Sequence, residues 1–151
     1  DWGDYPYVTS SHCTVGSAIL NGVPPTAIRD VWGVAKVYET YVGAKEFQGV
    51  EPELELVREV GEEYGATTGR PRQTNWLDLD LIKKAVSING ENKVVFNKTD
   101  VLDSVGVWML FDGLNAYHFD SGDDMNYYIQ DYINGFSPDT EVLFSGNKEI
   151  I

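Results

Sequence analysis

Two short stretches hold the residues best suited to chemistry. In Ala66-Thr67-Thr68-Gly69-Arg70-Pro71-Arg72, adjacent hydroxyls, a glycine that lets backbone approach a ligand and two arginines form a cradle for an anion. A guanidinium fork matches carboxylate and phosphate geometry, and each charge-assisted hydrogen bond would contribute about 1.5 to 3 kcal/mol. The same letters also describe a solvated loop whose arginines pair with the acidic segment before it. In Asn97-Lys98-Thr99-Asp100, after an apolar run, a carboxylate could accept from N1 and the 2-amino group of guanine while the lysine stem lies over the ring. The other reading is a strand-to-helix turn in which Asp100 caps the next helix. No glycine-rich loop ending in Lys-Ser or Lys-Thr accompanies it, so this sequence is not a complete P-loop GTPase.

The remaining candidates are weaker. His12 lies in a hydroxyl-rich turn and could touch a ligand, whereas His118 reads as a partly buried strand residue. With one cysteine, Cys13, and no Cys/His spacing, a zinc site is not expected. No Ser-His-Asp or Cys-His arrangement follows from spacing. Asp112-Gly113 reads as a hairpin turn and Asp123-Asp124 as the acidic first turn of a helix.

These residues need elements to hold them. The hydroxyls of Thr9, Ser10 and Ser11 suit the N-cap of a helix running through the small residues Cys13 to Ala18. Pro24 and Pro25 open a pattern in which Ile28, Val31, Trp32, Ala35 and Tyr38 recur at helical spacing, which predicts a buried helix of about 15 residues ending near Tyr41-Val42-Gly43. From Pro52 to Tyr64, acidic residues surround a stripe of Leu54, Val57 and Val60, a surface helix stopped by Gly65. Residues 66–75 form a loop, and Trp76-Leu77-Asp78 leads into a helix through Leu81, Ile82 and Ala85 to Asn89-Gly90. Val94-Val95-Phe96 is a buried strand. Strands at 105–111 and 114–119, a helix at 125–133 and a strand at 141–144 complete a mixed α/β chain without internal repeats or linkers.

The totals narrow the partners. A chain of 151 residues, 42% hydrophobic, suits one ordered domain. Eleven Lys and Arg against 24 Asp and Glu, net charge −13, argue against nucleic acid or a membrane surface. The lone cysteine cannot close an internal disulfide, and no apolar run spans a bilayer, so a cytoplasmic setting is expected. The start at Asp1-Trp2-Gly3-Asp4, without Met, suggests a fragment.

Read in order, the pieces resemble the adenylosuccinate synthetase family. Tyr5-Pro6-Tyr7-Val8-Thr9-Ser10-Ser11 is similar to its Tyr-Pro-Tyr-Val-Thr-Ser-Ser run, and Val42-Gly43 to the end of its Thr-Arg-Val-Gly segment. Tyr64 to Arg72 followed by Trp76-Leu77-Asp78 resembles the family's most characteristic stretch, and Lys98-Thr99-Asp100-Val101-Leu102-Asp103 its Lys-Leu-Asp-Val-Leu-Asp. The resemblance is dense from Asp4 to Asp103 and thins beyond. His12 replaces Asn, Pro71 interrupts an arginine run, and Asn75 replaces Gly. The chain after Asp103 is short, as in archaeal or viral members. Phe144-Ser145-Gly146-Asn147-Lys148 loosely resembles the family's guanine-contacting Ser-Thr-Gly-Pro end.

The resemblance implies a single domain over 1–151, the C-terminal part of the family's P-loop-like fold, a mixed β-sheet with flanking helices. It implies a ligase that joins L-aspartate to IMP at purine C6 in AMP biosynthesis, with GTP as co-substrate, acting as a homodimer. GTP phosphorylates the purine 6-oxygen, and the aspartate amine then displaces that phosphate. Thr9 would contact the 5′-phosphate side of the nucleotide, Val42 and Arg70 its ribose, and Ala66, Thr67, Thr68, Gly69, Arg70 and Arg72 would close on aspartate. Arg72 would also approach GTP, while Lys98, Thr99 and Asp100, with Ser145 and Gly146, would hold guanine. The family's phosphate loop, catalytic aspartate, general-acid histidine and Mg2+ ligands lie N-terminal to the matching region, so no catalytic or metal residue is assigned, and the chain alone is expected to be inactive. Two alternatives stand beside it. One is a phage-type N6-succino-2-amino-2′-deoxyadenylate synthase using dGMP, the other a non-catalytic purine-nucleotide-binding module.

Overall fold

The computed structural model describes residues 3–8 and 11–146. Its strands form two sheets that share a stretch of chain. β1 (Trp32–Lys36), β4 (Lys93–Asn97) and β7 (Glu141–Phe144) make a parallel sheet in the order β1-β4-β7, with Val34 opposite Val95 and Val95 opposite Leu143. β2 (Tyr38–Tyr41), β3 (Gln73–Asp78), β5 (Trp108–Asp112) and β6 (Asn115–Phe119) make a mixed sheet, with β3 parallel to β5 and both outer pairs antiparallel. Only Val37 separates β1 from β2. It is buried, and its N–H donates to the Asn97 carbonyl at 3.0 Å, so the chain leaves one sheet for the other at the end of β4.

Helices cover these sheets. α2 (Glu53–Val60) buries Leu54 and Val57, and α5 (Gly122–Phe136) buries Met125, Ile129 and Ile133 on one stripe. α3 (Leu79–Asn89) starts at Asp78, whose carboxylate accepts the Asp80 N–H at 2.9 Å, and ends at Gly90 with φ +61. α4 (Thr99–Val105) follows β4 directly and packs beside α2. Leu54, Val57, Trp76, Leu77, Phe96, Leu102 and Leu110 meet in one core between the layers. The mixed α/β expectation holds.

Several local expectations do not. The chain from Pro24 to Tyr41 is a single 3-10 turn (Pro25–Ala27) followed by β1 and β2. The apolar spacing fits a helix, but the run is rich in β-branched and aromatic residues, and the pairing of β1 with β4 decides the outcome. Gly33 sits inside β1, where a Cβ would lie 2.0 Å from a Glu91 carboxylate oxygen. Trp32 and Val34, on the free side of β1, are 50% and 68% exposed. α1 (Gly16–Leu20) begins at Val15 with no side-chain cap; Thr9 and Ser10 lie outside the described residues. α2 ends at Val60, which is exposed, and Gly61 rather than Gly65 terminates it. Residues 73–75 belong to β3, and Val105 closes α4 instead of opening a strand. The Asp112-Gly113 turn is present, with φ +59 at Gly113, and His118 on β6 is exposed rather than partly buried.

Candidate functional site

After Gly61 the backbone turns through Glu62, at φ +53, and folds into a tight hairpin. Tyr64 bridges Pro71, the Gly65 N–H donates to the Arg70 carbonyl at 2.8 Å, and the Gly69 N–H to the Gly65 carbonyl at 2.8 Å. Gly69 takes φ +64, a conformation costly for any residue with a Cβ. The tip, Ala66 to Arg70, is therefore exposed and rigidly closed at its base. Arg70 makes no side-chain hydrogen bond or ion pair to the described residues. Its neighbour Arg72 does: one guanidinium nitrogen donates to a Glu63 carboxylate oxygen at 2.9 Å.

Glu63 is 2% exposed and anchors the base of this hairpin. Its Oε1 accepts from Lys36 Nζ at 2.6 Å and from the Tyr38 hydroxyl at 2.8 Å, while Oε2 faces Arg72. Lys36 and Tyr38 flank Val37 two residues apart, so an extended chain turns both to the same side. Burial pushes the Glu63 carboxyl up. The hydrogen bonds from Lys36 and Tyr38, and the charges of Lys36 and Arg72, outweigh that effect and hold it below the usual carboxylate value. Burial first, then the bond to Glu63, drives the Tyr38 hydroxyl upward.

The strand-end turn adjoins this cluster. Lys98 adopts φ +67, and its Nζ donates to the Gly61 carbonyl at 3.0 Å, tying the turn to the start of the hairpin. Both Asp100 and Arg72 act electrostatically on Tyr38. Asp100 lies in the first turn of α4 without capping it; its Oδ1, like that of Asn97, is buried without a hydrogen-bond partner among the described residues. Such an orphaned acceptor ordinarily costs 1–3 kcal/mol, which a donor from a ligand would relieve. The Thr99 N–H donates to the Ser145 carbonyl at 3.3 Å, and the Ser145 N–H to the Phe96 carbonyl at 2.9 Å, so Ser145 and Gly146 stand beside the turn.

One step beyond the Tyr41–Gln73 pair lie Val42, exposed, and Arg72. Ala66, Thr67, Thr68, Gly69, Arg70, Arg72, Val42, Lys98, Thr99, Asp100, Ser145 and Gly146 thus lie on connected elements, whereas Thr9 lies outside the described residues. His12 and His118 take no part in this cluster. A hollow of about 360 Å³ between α1 and β1, lined by Cys13, Val15, Trp32, Asn89 and Glu91 among others, contains none of these residues. Lys36, Tyr38 and Glu63 were not singled out from the sequence. A second perturbed acid, Glu39, accepts the Asp78 N–H at 3.4 Å; burial, and then the Asp78 charge, raise it to about 7 against that bond and Lys45. Among the described residues no group of three or more His, Cys, Asp or Glu is arranged to hold a metal ion.

The family model for adenylosuccinate synthetase matches residues 1–120. The chain belongs to that family. Among curated relatives, the adenylosuccinate synthetase of Caenorhabditis briggsae is 46% identical over 107 residues, 69% of this chain and 25% of that protein. That of Syntrophomonas wolfei is 48% identical over 112 residues, again 69% and 25%, and that of Meyerozyma guilliermondii 42% over 127 residues, 79% and 30%. The chain therefore spans about a quarter of the length of the curated relatives it matches. The fully ligated adenylosuccinate synthetase of Plasmodium falciparum superposes with a TM-score of 0.78 at 24% identity, covering 92% of this chain and 42% of that one, a likeness of fold.

Proposed function

We propose that this chain supplies the aspartate-facing hairpin and the guanine-facing turn of an adenylosuccinate synthetase, which joins L-aspartate to IMP at purine C6 at the expense of GTP. Family membership supports the reaction class. The observation that carries the assignment is the Lys98–Gly61 bond, which brings an exposed hydroxyl-and-guanidinium hairpin beside a strand end holding a buried, unpartnered carboxylate oxygen. Thr67, Thr68 and Arg70 offer donors to a dicarboxylate, and Asp100 offers acceptors to the N1–H and 2-amino groups of guanine. Adenine has neither donor at those positions. Ser145 and Gly146 line the same turn, and Val42 lies beside Arg72 on the nucleotide side. In this reading residues 1–151 act as one domain, and proton transfer and Mg2+ binding fall to residues outside this chain; the described residues offer no cluster that fits the metal.

Calorimetry with GTP and with ATP tests the proposal. GTP should bind at least about tenfold more tightly, since two charge-assisted hydrogen bonds distinguish it. Asp100→Ala should erase the preference without lowering thermal stability, because Oδ1 has no partner among the described residues to lose. Equal affinities for GTP and ATP in the unsubstituted chain would overturn the guanine assignment.

A further inference from the structure

We propose that Glu63 is a positioning residue of the hairpin: its carboxylate fixes the Arg72 guanidinium and thereby leaves Arg70 as the guanidinium that meets a dicarboxylate. The inference rests on the proposed aspartate-facing role of that hairpin.

Arg72 is held from three directions. Its N–H donates to the Glu63 carbonyl at 2.9 Å, its guanidinium to Glu63 Oε2 at 2.9 Å, and its carbonyl accepts from Arg58 Nε at 2.6 Å. Arg58 is itself held by Glu55 and by Gln48, the latter at 2.7 Å, so the clamp is anchored to α2. Glu63 has no freedom to swing toward solvent, because Lys36 and Tyr38 occupy its other oxygen. Donors on both oxygens orient the Glu63 carboxylate, so the single contact it makes to the Arg72 guanidinium has a set direction, which a lone exposed pair would lack.

Arg70, two residues away, is exposed and free at the hairpin tip. Pro71 between them fixes one backbone torsion, so anchoring Arg72 also limits the region Arg70 can sweep. Lys36 and Arg72 both pair with Glu63, so its carboxylate is shared between two cations rather than committed to one.

The test uses the whole chain, with nitrogen-15 spectra of the four arginine side chains and titration with L-aspartate. In the unsubstituted chain Arg72 should show hindered guanidinium rotation and slow proton exchange, and Arg70 should be averaged and should shift on adding aspartate. Glu63→Gln should release Arg72 into the averaged class, leave Arg29 unchanged, and weaken aspartate on the order of tenfold. Leu54→Ala, a core change, should lower the melting temperature yet leave the aspartate affinity within about twofold, which separates positioning from general stability. If Glu63→Gln does not fold, Glu63→Asp replaces it in both readings, since it keeps the charge but withdraws the carboxylate by one methylene. An averaged Arg72 in the unsubstituted chain, or unchanged Arg72 spectra and affinity in the variant, would overturn the inference. No response to aspartate in the unsubstituted chain would instead remove the aspartate-facing role, and the Arg72 signature would then decide the anchoring alone.

Discussion

Replacing Glu39 by Gln should make the protein more stable near neutral pH and leave it unaltered in mild acid. Glu39 sits on β2 opposite Asn75, with the charge of Asp78 beside it and Lys45 as the opposing cation. Burial and Asp78 raise its carboxyl from 4.5 to about 7. A raised carboxyl favours folding only while both states are protonated. Below about pH 4.5 nothing is lost; between 4.5 and 7 the unfolded chain gives up its proton and the folded chain does not, so stability falls as pH rises. A fully sealed group moved this far would cost about 3 kcal/mol. Glu39 is only partly buried, so screening reduces this to about 1 to 2 kcal/mol. Gln keeps the acceptor for the Asp78 N–H and removes the titration. Urea unfolding of both proteins from pH 4.5 to 8 should give curves that coincide in acid and separate progressively to that amount by pH 8. A constant difference across the window would refute the reasoning.

Gly69→Ala should lower stability by about 1 to 2 kcal/mol, measured by thermal unfolding, because φ +64 penalises a Cβ although nothing lies within 4 Å of it. Ile129→Ala, in the fully buried stripe of α5, should cost about 2 to 5 kcal/mol by urea unfolding, and a loss under 1 kcal/mol would mean that α5 does not seal the core as described.

The strands and helices with a single dominant signal were legible in the sequence. β4 is centred on the apolar run Val94-Val95-Phe96, α3 has a capping Asp78 and a terminating Gly90, and α5 has its acidic first turn. The segment from Pro24 to Tyr41 was not legible, because Ile28, Val31, Trp32, Ala35 and Tyr38 satisfy a helical period while the hydrogen bonds that make 32–36 a strand come from β4, more than fifty residues away. That error hid half of the Glu63 cluster. Lys36 and Tyr38 converge only in an extended chain, and Glu63 looked like one more exposed acid of an acidic helix until the helix ended at Val60. The composition of the hairpin and of the turn after β4 was plain from residue types. Their adjacency depends on a main-chain carbonyl at Gly61, which no side-chain pattern announces.

The one-residue passage at Val37 has a mechanical consequence. With Lys36 and Tyr38 both fastened to the same buried acid and Val37 bonded to Asn97, no slack remains between the parallel and the mixed sheet at that point. Rotation of one sheet against the other at that point would have to break these bonds. A tug on the hairpin is therefore felt at the turn after β4 through stiff links, without passing through solvent-exposed loops.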